Sequence, residues 1–368
     1  MNPHERIWKA LNHEEPDRVP TFSQSIEQPY IERYDNEKGI PEEVVDDLFP
    51  IFPFDFIFAK AMGFDSKWAH LGGPSAPKRD RPEVTGLAEN QTVNSAGQIR
   101  ISNNRGQNWY HDGALNTPEM LKEWISYIKD FTVPAGRYDD FSKMYEAGKE
   151  KILPIPTIGG PVYTSWSGIG LRRFSYLARK YSGLVAELFN TWTELTVEAH
   201  KALFETGVDM VFVCDDFAQK DRLIISPKDF ERFVKPNYKR LSDNAHKFGA
   251  KFLVHTDGNI NEALPIMIEA GVDAAEPLEY ESGMRLKFLK ERFGDDIALF
   301  GNVPASDALC VGTREYTIEI TKKCIKDAAE GGGFILSPGA NILADSKVEN
   351  VLAMIETVKK YGNYPIQL

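Results

Sequence analysis

The chain has 368 residues, with 43 lysines and arginines against 54 aspartates and glutamates, so its formal net charge is −11. This acidic balance argues against nucleic-acid binding, which needs a dense basic face, and no run of about 18 apolar residues predicts a membrane span. The 3 cysteines are not closely spaced and the N-terminus lacks an apolar signal segment, so we expect a cytoplasmic globular protein.

The N-terminal part of the chain predicts an extension followed by an inserted hairpin. A short helix is expected at His4–Leu11, and Arg18–Phe22 and Phe54–Ala59 are apolar runs of strand length. Alternating apolar residues on both sides of Ser95-Ala96-Gly97 predict a β-hairpin insertion within residues 90–112. No linker follows, so residues 1–368 are expected to form a single domain.

From Leu153 onward, short apolar runs alternate with helical segments. Such runs are typical of strands buried on both faces of a parallel sheet, and with the two earlier runs they give about eight strands. No Gly-x-Gly-x-x-Gly motif follows a strand, which disfavours an open dinucleotide-binding sheet. We therefore predict an α/β fold, a (β/α)8 TIM barrel. The later runs are Leu153–Ile158, Met210–Cys214, Phe252–His255, Ala274–Pro277, Ala298–Gly301 and Phe334–Ser337, and the helical segments include Thr191–Thr206, Asp229–Phe248 and Asn261–Ala270.

Polar residues follow the predicted strands, at the end of such a barrel where active sites lie. Asp215 and Asp216 follow one strand, His255 and Asp257 another, and Glu276 a third, so these five are our candidate catalytic residues. Converging carboxylates can keep one acid protonated, or His255, Asp257 and Glu276 could hold a divalent metal. The candidate substrate-binding residues at the same mouth are Phe22, Tyr163, Gln219, Asn302 and Asn341.

Structural explanations compete with these assignments. An aspartate after a strand often caps the next helix, which applies to both Asp215 and Asp216. His255 could be a core residue satisfied by internal hydrogen bonds, and Cys214 fits strand packing better than chemistry because free cysteines are usually buried.

Several motifs along the whole chain point to a family. They are Arg6-Ile7 with Pro16-Asp17-Arg18-Val19-Pro20, Asp215-Asp216 with Ile225-Ser226-Pro227, His255-Thr256-Asp257-Gly258-Asn259, and Gly332-Gly333-Phe334-Ile335-Leu336-Ser337-Pro338-Gly339. In order and spacing they resemble the uroporphyrinogen decarboxylase superfamily, especially its branch of corrinoid-dependent methyltransferases. The resemblance implies one (β/α)8 barrel domain and a corrinoid (cobalamin) carried by a partner protein, since no corrinoid-binding domain can be located in the chain.

Two activities of that superfamily fit the residues poorly. The decarboxylases bind a polycarboxylate porphyrinogen through an arginine-rich segment after the first strand, and the matching residues 21–28 contain no arginine. The thiol methyltransferases hold zinc with His-x-Cys and a later cysteine. Here His255 matches, but the two cysteine positions are taken by Asp257 and Ala340, so a thiolate–zinc site is not expected.

The preferred hypothesis is O-demethylation, in which a methyl group moves from a small methylated donor, such as a methoxylated aromatic, to the Co(I) corrinoid of a partner protein. A carboxylic acid in the mouth would assist the leaving oxygen as the C–O bond breaks. Two alternatives stay open. One is a zinc-dependent methylcobalamin:thiol methyltransferase with a remodelled site, and the other is a decarboxylase of a small carboxylate anchored by Arg172 and Arg173.

Overall fold

The structure of the protein, a computed structural model, describes residues 1–103 and 108–368. The strands are β1 (Phe22–Ser23), β2 (Ser66–His70), β3 (Gln91–Val93), β4 (Gln98–Ser102), β5 (Asn108–Gly113), β6 (Leu153–Gly159), β7 (Met210–Cys214), β8 (Ala218–Gln219), β9 (Arg222–Leu223), β10 (Lys251–His255), β11 (Ala274–Glu276), β12 (Ala298–Val303) and β13 (Phe334–Pro338). The helices are α1 (Pro3–Leu11), α2 (Gln28–Lys38), α3 (Glu42–Leu48), α4 (Phe54–Met62), α5 (Pro118–Ile128), α6 (Asp139–Gly148), α7 (Pro161–Ile169), α8 (Leu171–Lys180), α9 (Ser182–Phe204), α10 (Pro227–Asp229), α11 (Lys235–Lys247), α12 (Leu264–Glu269), α13 (Leu286–Phe293), α14 (Arg314–Ala328) and α15 (Val348–Tyr361). Shorter helical turns cover Phe230–Val234, Tyr280–Ser282 and Ala305–Val311.

Eight of these strands form one parallel sheet in the order β1-β2-β6-β7-β10-β11-β12-β13. The sheet closes on itself because Thr21, just before β1, forms a parallel bridge with Leu336 of β13. The amide of Leu336 also donates to the carbonyl oxygen of Pro20 over 2.9 Å. Helices connect the successive strands on the outside, as parallel crossovers require. The predicted (β/α)8 TIM barrel is thus confirmed.

The second strand lies later in the chain than the sequence predicted. Phe54–Ala59, predicted as a strand, begins helix α4, which buries Phe58 and Met62 and ends at Gly63 in a left-handed conformation. The strand itself is Ser66–His70. Its Lys67 is buried on the outer face of the barrel and forms an ion pair with Asp55, with 2.5 Å between Nζ and Oδ2. Lys67 lies inside this strand, so the sequence does not show the continuous apolar run that is typical of a barrel strand.

The predicted insertion forms a small antiparallel sheet beside the barrel. Strands β3 and β4 make the expected hairpin and β5 adds a third strand, while residues 104–107 of the insertion lie outside the described residues. The sheet docks on α7, where Nε2 of Gln98 donates to Oγ of Ser167 over 2.7 Å. The backbones approach closely, because a Cβ on Gly113 would lie 2.2 Å from the nitrogen of Gly170.

Aromatic side chains fill the barrel below its mouth. The rings of Phe22, Phe212 and Phe300 meet with centroids 5.3 to 5.7 Å apart, which fixes the inner face of their strands. Because alternate residues of a strand share a face, Gln24 and Cys214 also face the interior, one layer nearer the mouth. Of the helices in the described ranges, none is both long and apolar enough to cross a bilayer.

Candidate active site

His255 and Glu276 form a buried pair at the carboxyl ends of adjacent strands. The parallel register places His255 beside Cys214 of β7 and Glu276 of β11. Nδ1 of His255 lies 2.6 Å from Oε2 of Glu276, a side chain with no exposed surface. Nε2 of Gln24 donates to the other oxygen of Glu276 over 2.6 Å. Both oxygens of this carboxylate are therefore held by buried partners.

The second ring nitrogen of His255 faces the mouth. Its Nε2 lies 3.6 Å from Oδ1 of Asp216 and 3.8 Å from Oδ1 of Asp257, and the Trp68 ring packs edge-on against the imidazole with 4.6 Å between centroids. Burial alone would lower the pKa of His255, but the charges of Glu276, Asp257 and Asp216 outweigh it and raise the pKa to about 9. The site therefore presents an imidazolium N–H to the mouth at neutral pH.

Asp257 lies at the rim of the mouth. Burial raises the pKa of this carboxyl to about 6, with His255 opposing the shift and Asp216 adding to it. The side chain keeps 56% of its surface exposed, so solvent tempers this shift. Asp257 is a weaker acid than an ordinary aspartic acid, yet it ionises below neutral pH.

One set of three mouth residues has the spacing of a metal site. One ligand atom each from Asp216, His255 and Asp257 lies within 4.8 Å of the others, a spacing that one divalent cation could bridge. The predicted set of His255, Asp257 and Glu276 is different, because Glu276 binds the ring nitrogen that faces away from the mouth. Glu276 is thus in the position of a residue that orients a ligand histidine.

Asp215 does not reach the mouth, contrary to its catalytic assignment. Adjacent residues of a strand face opposite sides, and Asp215 accepts hydrogen bonds from the amide of Tyr163 (2.7 Å) and the hydroxyl of Tyr238 (3.1 Å). Its complete burial raises the pKa of this carboxyl to about 8, although these donors oppose the shift. Gly160 packs against it so closely that a Cβ would lie 2.1 Å from Cγ of Asp215. Asp215 therefore caps the first turn of α7.

Three of the predicted substrate-binding residues lie at the mouth. Gln219 borders a cavity of about 320 Å³ together with Asp257 and Ala340. Tyr163 is half-buried at the start of α7, where burial and the charge of Asp216 raise its pKa. Asn341 is also half-buried, and its Oδ1 accepts from the amide of Ser25 after β1.

Phe22 and Asn302 have packing roles instead of the predicted contact with substrate. Phe22 has no exposed surface and lies in the aromatic layer below the mouth. The amide group of Asn302 donates to the carbonyl oxygens of Leu278 (2.8 Å) and Met284 (2.9 Å), and its Oδ1 accepts from the thiol of Cys324. Alternation from the inward-facing Phe300 predicts the mouth for Asn302, but its amide turns to Leu278, Met284 and Cys324 instead.

Gln24 and Glu279 are among the residues of the site that were not predicted from the sequence. Gln24 could have been found from alternation, since it lies two positions after the apolar Phe22 of β1. Glu279 binds the loop after β10, where one of its oxygens accepts from the amide of Gly258 (2.7 Å) and the hydroxyl of Ser282 (2.7 Å). No periodic pattern in the sequence marks Glu279, which comes three residues after Glu276.

Comparisons with known proteins agree with this architecture. Residues 143–361 match the family described as Uroporphyrinogen decarboxylase (URO-D). A methylcobamide:CoM methyltransferase of Methanosarcina barkeri is 27% identical over 217 residues, which cover 58% of this chain and 61% of that protein. A uroporphyrinogen decarboxylase of Carboxydothermus hydrogenoformans is 26% identical over 177 residues, 48% of each chain. The solved structure of a methyltransferase from Methanosarcina mazei has the same fold, with a TM-score of 0.65 and 20% identity over 98% of this chain and 99% of the other. The chain thus spans about three fifths of the length of the first of these relatives.

Proposed function

Because the chain belongs to the uroporphyrinogen decarboxylase family, we propose that it is a corrinoid-dependent methyltransferase with its active site at the barrel mouth. A small methylated donor binds in the mouth, and its methyl group passes to the Co(I) corrinoid of a partner protein presented across it. The methyltransferase relatives support the general reaction. The observation that supports acid assistance is the geometry of His255, whose Nδ1 lies 2.6 Å from Oε2 of Glu276 and whose Nε2 faces the mouth.

A methoxylated aromatic is the donor class that this acid suits. When the C–O bond breaks, the oxygen keeps the electron pair, and the leaving phenolate takes the proton from Nε2 of His255. The pKa of His255, about 9, lies close to that of a phenol, about 10. His255 therefore keeps its proton at neutral pH and can transfer it to the leaving oxygen as the C–O bond breaks. The corrinoid supplies the nucleophile when bound, and the residues of this chain hold the donor and stabilise the leaving oxygen.

The charges at the mouth favour methyl transfer over decarboxylation. Asp216 and Asp257 would repel a substrate that carries carboxylates. Arg172 and Arg173, the anchors considered for such a substrate, are exposed on helix α8. This arrangement gives the decarboxylase alternative less support.

The proposed reaction can be tested with purified components. The protein is mixed with a Co(I) corrinoid protein and a panel of methoxylated aromatic compounds, and the corrinoid absorbance is followed. We expect the spectral change of corrinoid methylation with at least one donor, together with release of the corresponding phenol. The absence of any change across the panel would exclude the proposed donor class.

A second candidate function rests on the convergence of Asp216, His255 and Asp257. These residues would hold a divalent cation such as Zn²⁺ through two carboxylate oxygens and Nε2, with Glu276 orienting the ring. The ion would act as a Lewis acid on the leaving oxygen or would activate a thiol acceptor. Metal analysis should then find one ion per chain, and chelation should abolish activity. Full activity in a metal-free preparation would rule this candidate out.

A further inference from the structure

Gln24 lies directly after β1, and its side chain reaches Glu276 across the interior of the barrel. Phe22, two residues earlier, packs against Phe300 with 5.3 Å between centroids, so this face of the strand is the inner one. Gln24 is 4% exposed, and its Nε2 donates to Oε1 of Glu276 over 2.6 Å. Gln24 follows the first strand of the sheet order and Glu276 ends the sixth, and the two residues are 252 positions apart in the chain, so the contact exists only in the folded barrel.

The chemistry of an amide suits this position. Oε1 of Glu276 accepts from Gln24, and Oε2 is bound to Nδ1 of His255, so each buried oxygen has one partner. A buried carboxylate oxygen without a donor is unfavourable. A cationic side chain would also satisfy it, but would compete with the imidazolium for the negative charge. The neutral amide donates without that competition.

We propose that Gln24 is a positioning residue of the active site: its amide fixes the carboxylate of Glu276, which fixes the ring of His255 with Nε2 toward the mouth. The kinetic consequence rests on the proposed function, whereas the orientation of the ring is a property of the chain itself. Without the amide, Oε1 loses its donor, the carboxylate can rotate away from Nδ1, and the direction of the Nε2 proton is no longer fixed.

Two substitutions separate this role from simple packing. Gln24→Met keeps an unbranched side chain of similar size without the amide, and Gln24→Glu replaces the donor with an acceptor. We expect kcat for methyl transfer to fall about 10- to 100-fold in Gln24→Met and further in Gln24→Glu, with KM little changed, because Gln24 orients a functional group and does not touch the donor. Gln28→Met, on the exposed face of α2, is the matched control and should keep the wild-type kcat.

A second readout does not depend on activity. The hydrogen bond to Glu276 should give His255 a strongly deshielded, slowly exchanging Nδ1 proton in the NMR spectrum, assigned by its absence in His255→Asn. Gln24→Met should shift or remove this resonance. If Gln24→Met does not fold, Gln24→Asn, one methylene shorter, serves for the same comparison.

The outcomes distinguish the two proposals. An unchanged resonance in the Gln24 variant overturns the positioning role, whatever happens to kcat. A shifted resonance with wild-type kcat overturns it as well. A shifted resonance in a protein whose wild type transfers no methyl group supports the positioning of His255 and overturns the proposed function instead.

Discussion

At the scale of single residues, the proposed acid is the imidazole of His255, whose Nδ1 lies 2.6 Å from Oε2 of Glu276. Replacing His255 by Gln removes the imidazolium proton. We therefore expect kcat to fall by about 10²–10⁴-fold, which is the usual contribution of a general acid to the rate. The rate is measured from the corrinoid absorbance at saturating donor. His246→Gln, on the exposed face of α11, should leave the rate unchanged. A wild-type rate in His255→Gln would contradict the proposed role of His255 as the acid.

His200 is a buried histidine that the proposed chemistry does not use. It lies on α9 with no exposed surface, and neither ring nitrogen has a hydrogen-bond partner within residues 1–103 and 108–368. Burial lowers its pKa to about 3, whereas in the unfolded chain it binds a proton near pH 6.5. Its contribution to stability is therefore complete above pH 6.5 and is lost as the pH falls toward 3.

Replacing His200 by Leu should remove this pH dependence. The wild type should lose up to about 1.4 kcal/mol of unfolding free energy per pH unit below pH 6.5 through this one group. Urea denaturation at pH 7 and pH 5 should show a smaller loss in His200→Leu than in the wild type. Equal losses would mean that His200 is protonated or solvated in the folded protein.

The sequence predicted some mouth residues and not others, for a physical reason. Asp215 and Asp216 were both assigned to the mouth, although alternation along a strand allows only one of them to face it. The role of Gln24 could not be predicted, because its partner Glu276 comes from a strand far along the chain. An alternating sequence pattern predicts which face of the strand a side chain is on, but it does not predict which residue from a distant part of the chain that side chain contacts.

At the scale of elements, the join between β6 and α7 depends on Gly160. A Cβ at this position would lie 2.1 Å from Cγ of Asp215, the carboxylate that caps α7, so Gly160→Ala must displace the cap. We expect a loss of about 1–3 kcal/mol of unfolding free energy, measured by urea denaturation. Gly159→Ala is the control, because its Cβ would meet no described atom within 4 Å. Equal stability of the two variants would show that the cap tolerates displacement.

The elements after Leu153 were easier to predict than those before it. The later strands are continuous apolar runs, which is the pattern of a strand buried on both faces. Phe54–Ala59 is apolar except for Asp55, yet it is helical, because a short apolar run does not distinguish a buried helix from a buried strand. The true β2 was missed because Lys67 interrupts its apolar pattern, and its charge is compensated by Asp55.

At the scale of the whole molecule, the N-terminal motif that contains Arg6 and Arg18 binds Asp65 at the end of the barrel opposite the mouth. Asp65, just before β2, accepts from Arg6 over 2.7 Å and from Arg18 through both oxygens, at 2.7 and 2.8 Å. Its second oxygen also accepts from the amide of Thr21 over 2.9 Å. The N-terminal motif, which carries part of the family resemblance, therefore has a structural role and not a catalytic one.

Replacing Asp65 by Asn should destabilise the barrel strongly. The substitution leaves two partly buried guanidinium groups without their shared charge, which costs about 3–5 kcal/mol of unfolding free energy in comparable buried pairs. Glu356→Gln breaks the exposed pair with Arg314 and should change the stability by less than about 1 kcal/mol. Urea denaturation of both variants at pH 7 tests this, and similar small effects would contradict the structural role of the motif.

The closure of the barrel between β1 and β13 also has a consequence during synthesis. β1 leaves the ribosome early, but its neighbour on one side is the last strand of the sheet to be made. Until then the nascent chain carries an unpaired strand edge, the kind of edge that recruits other chains into aggregates. Because the closing contacts are far apart in sequence, we expect slow folding that ends after translation and benefits from a chaperone that shields this edge.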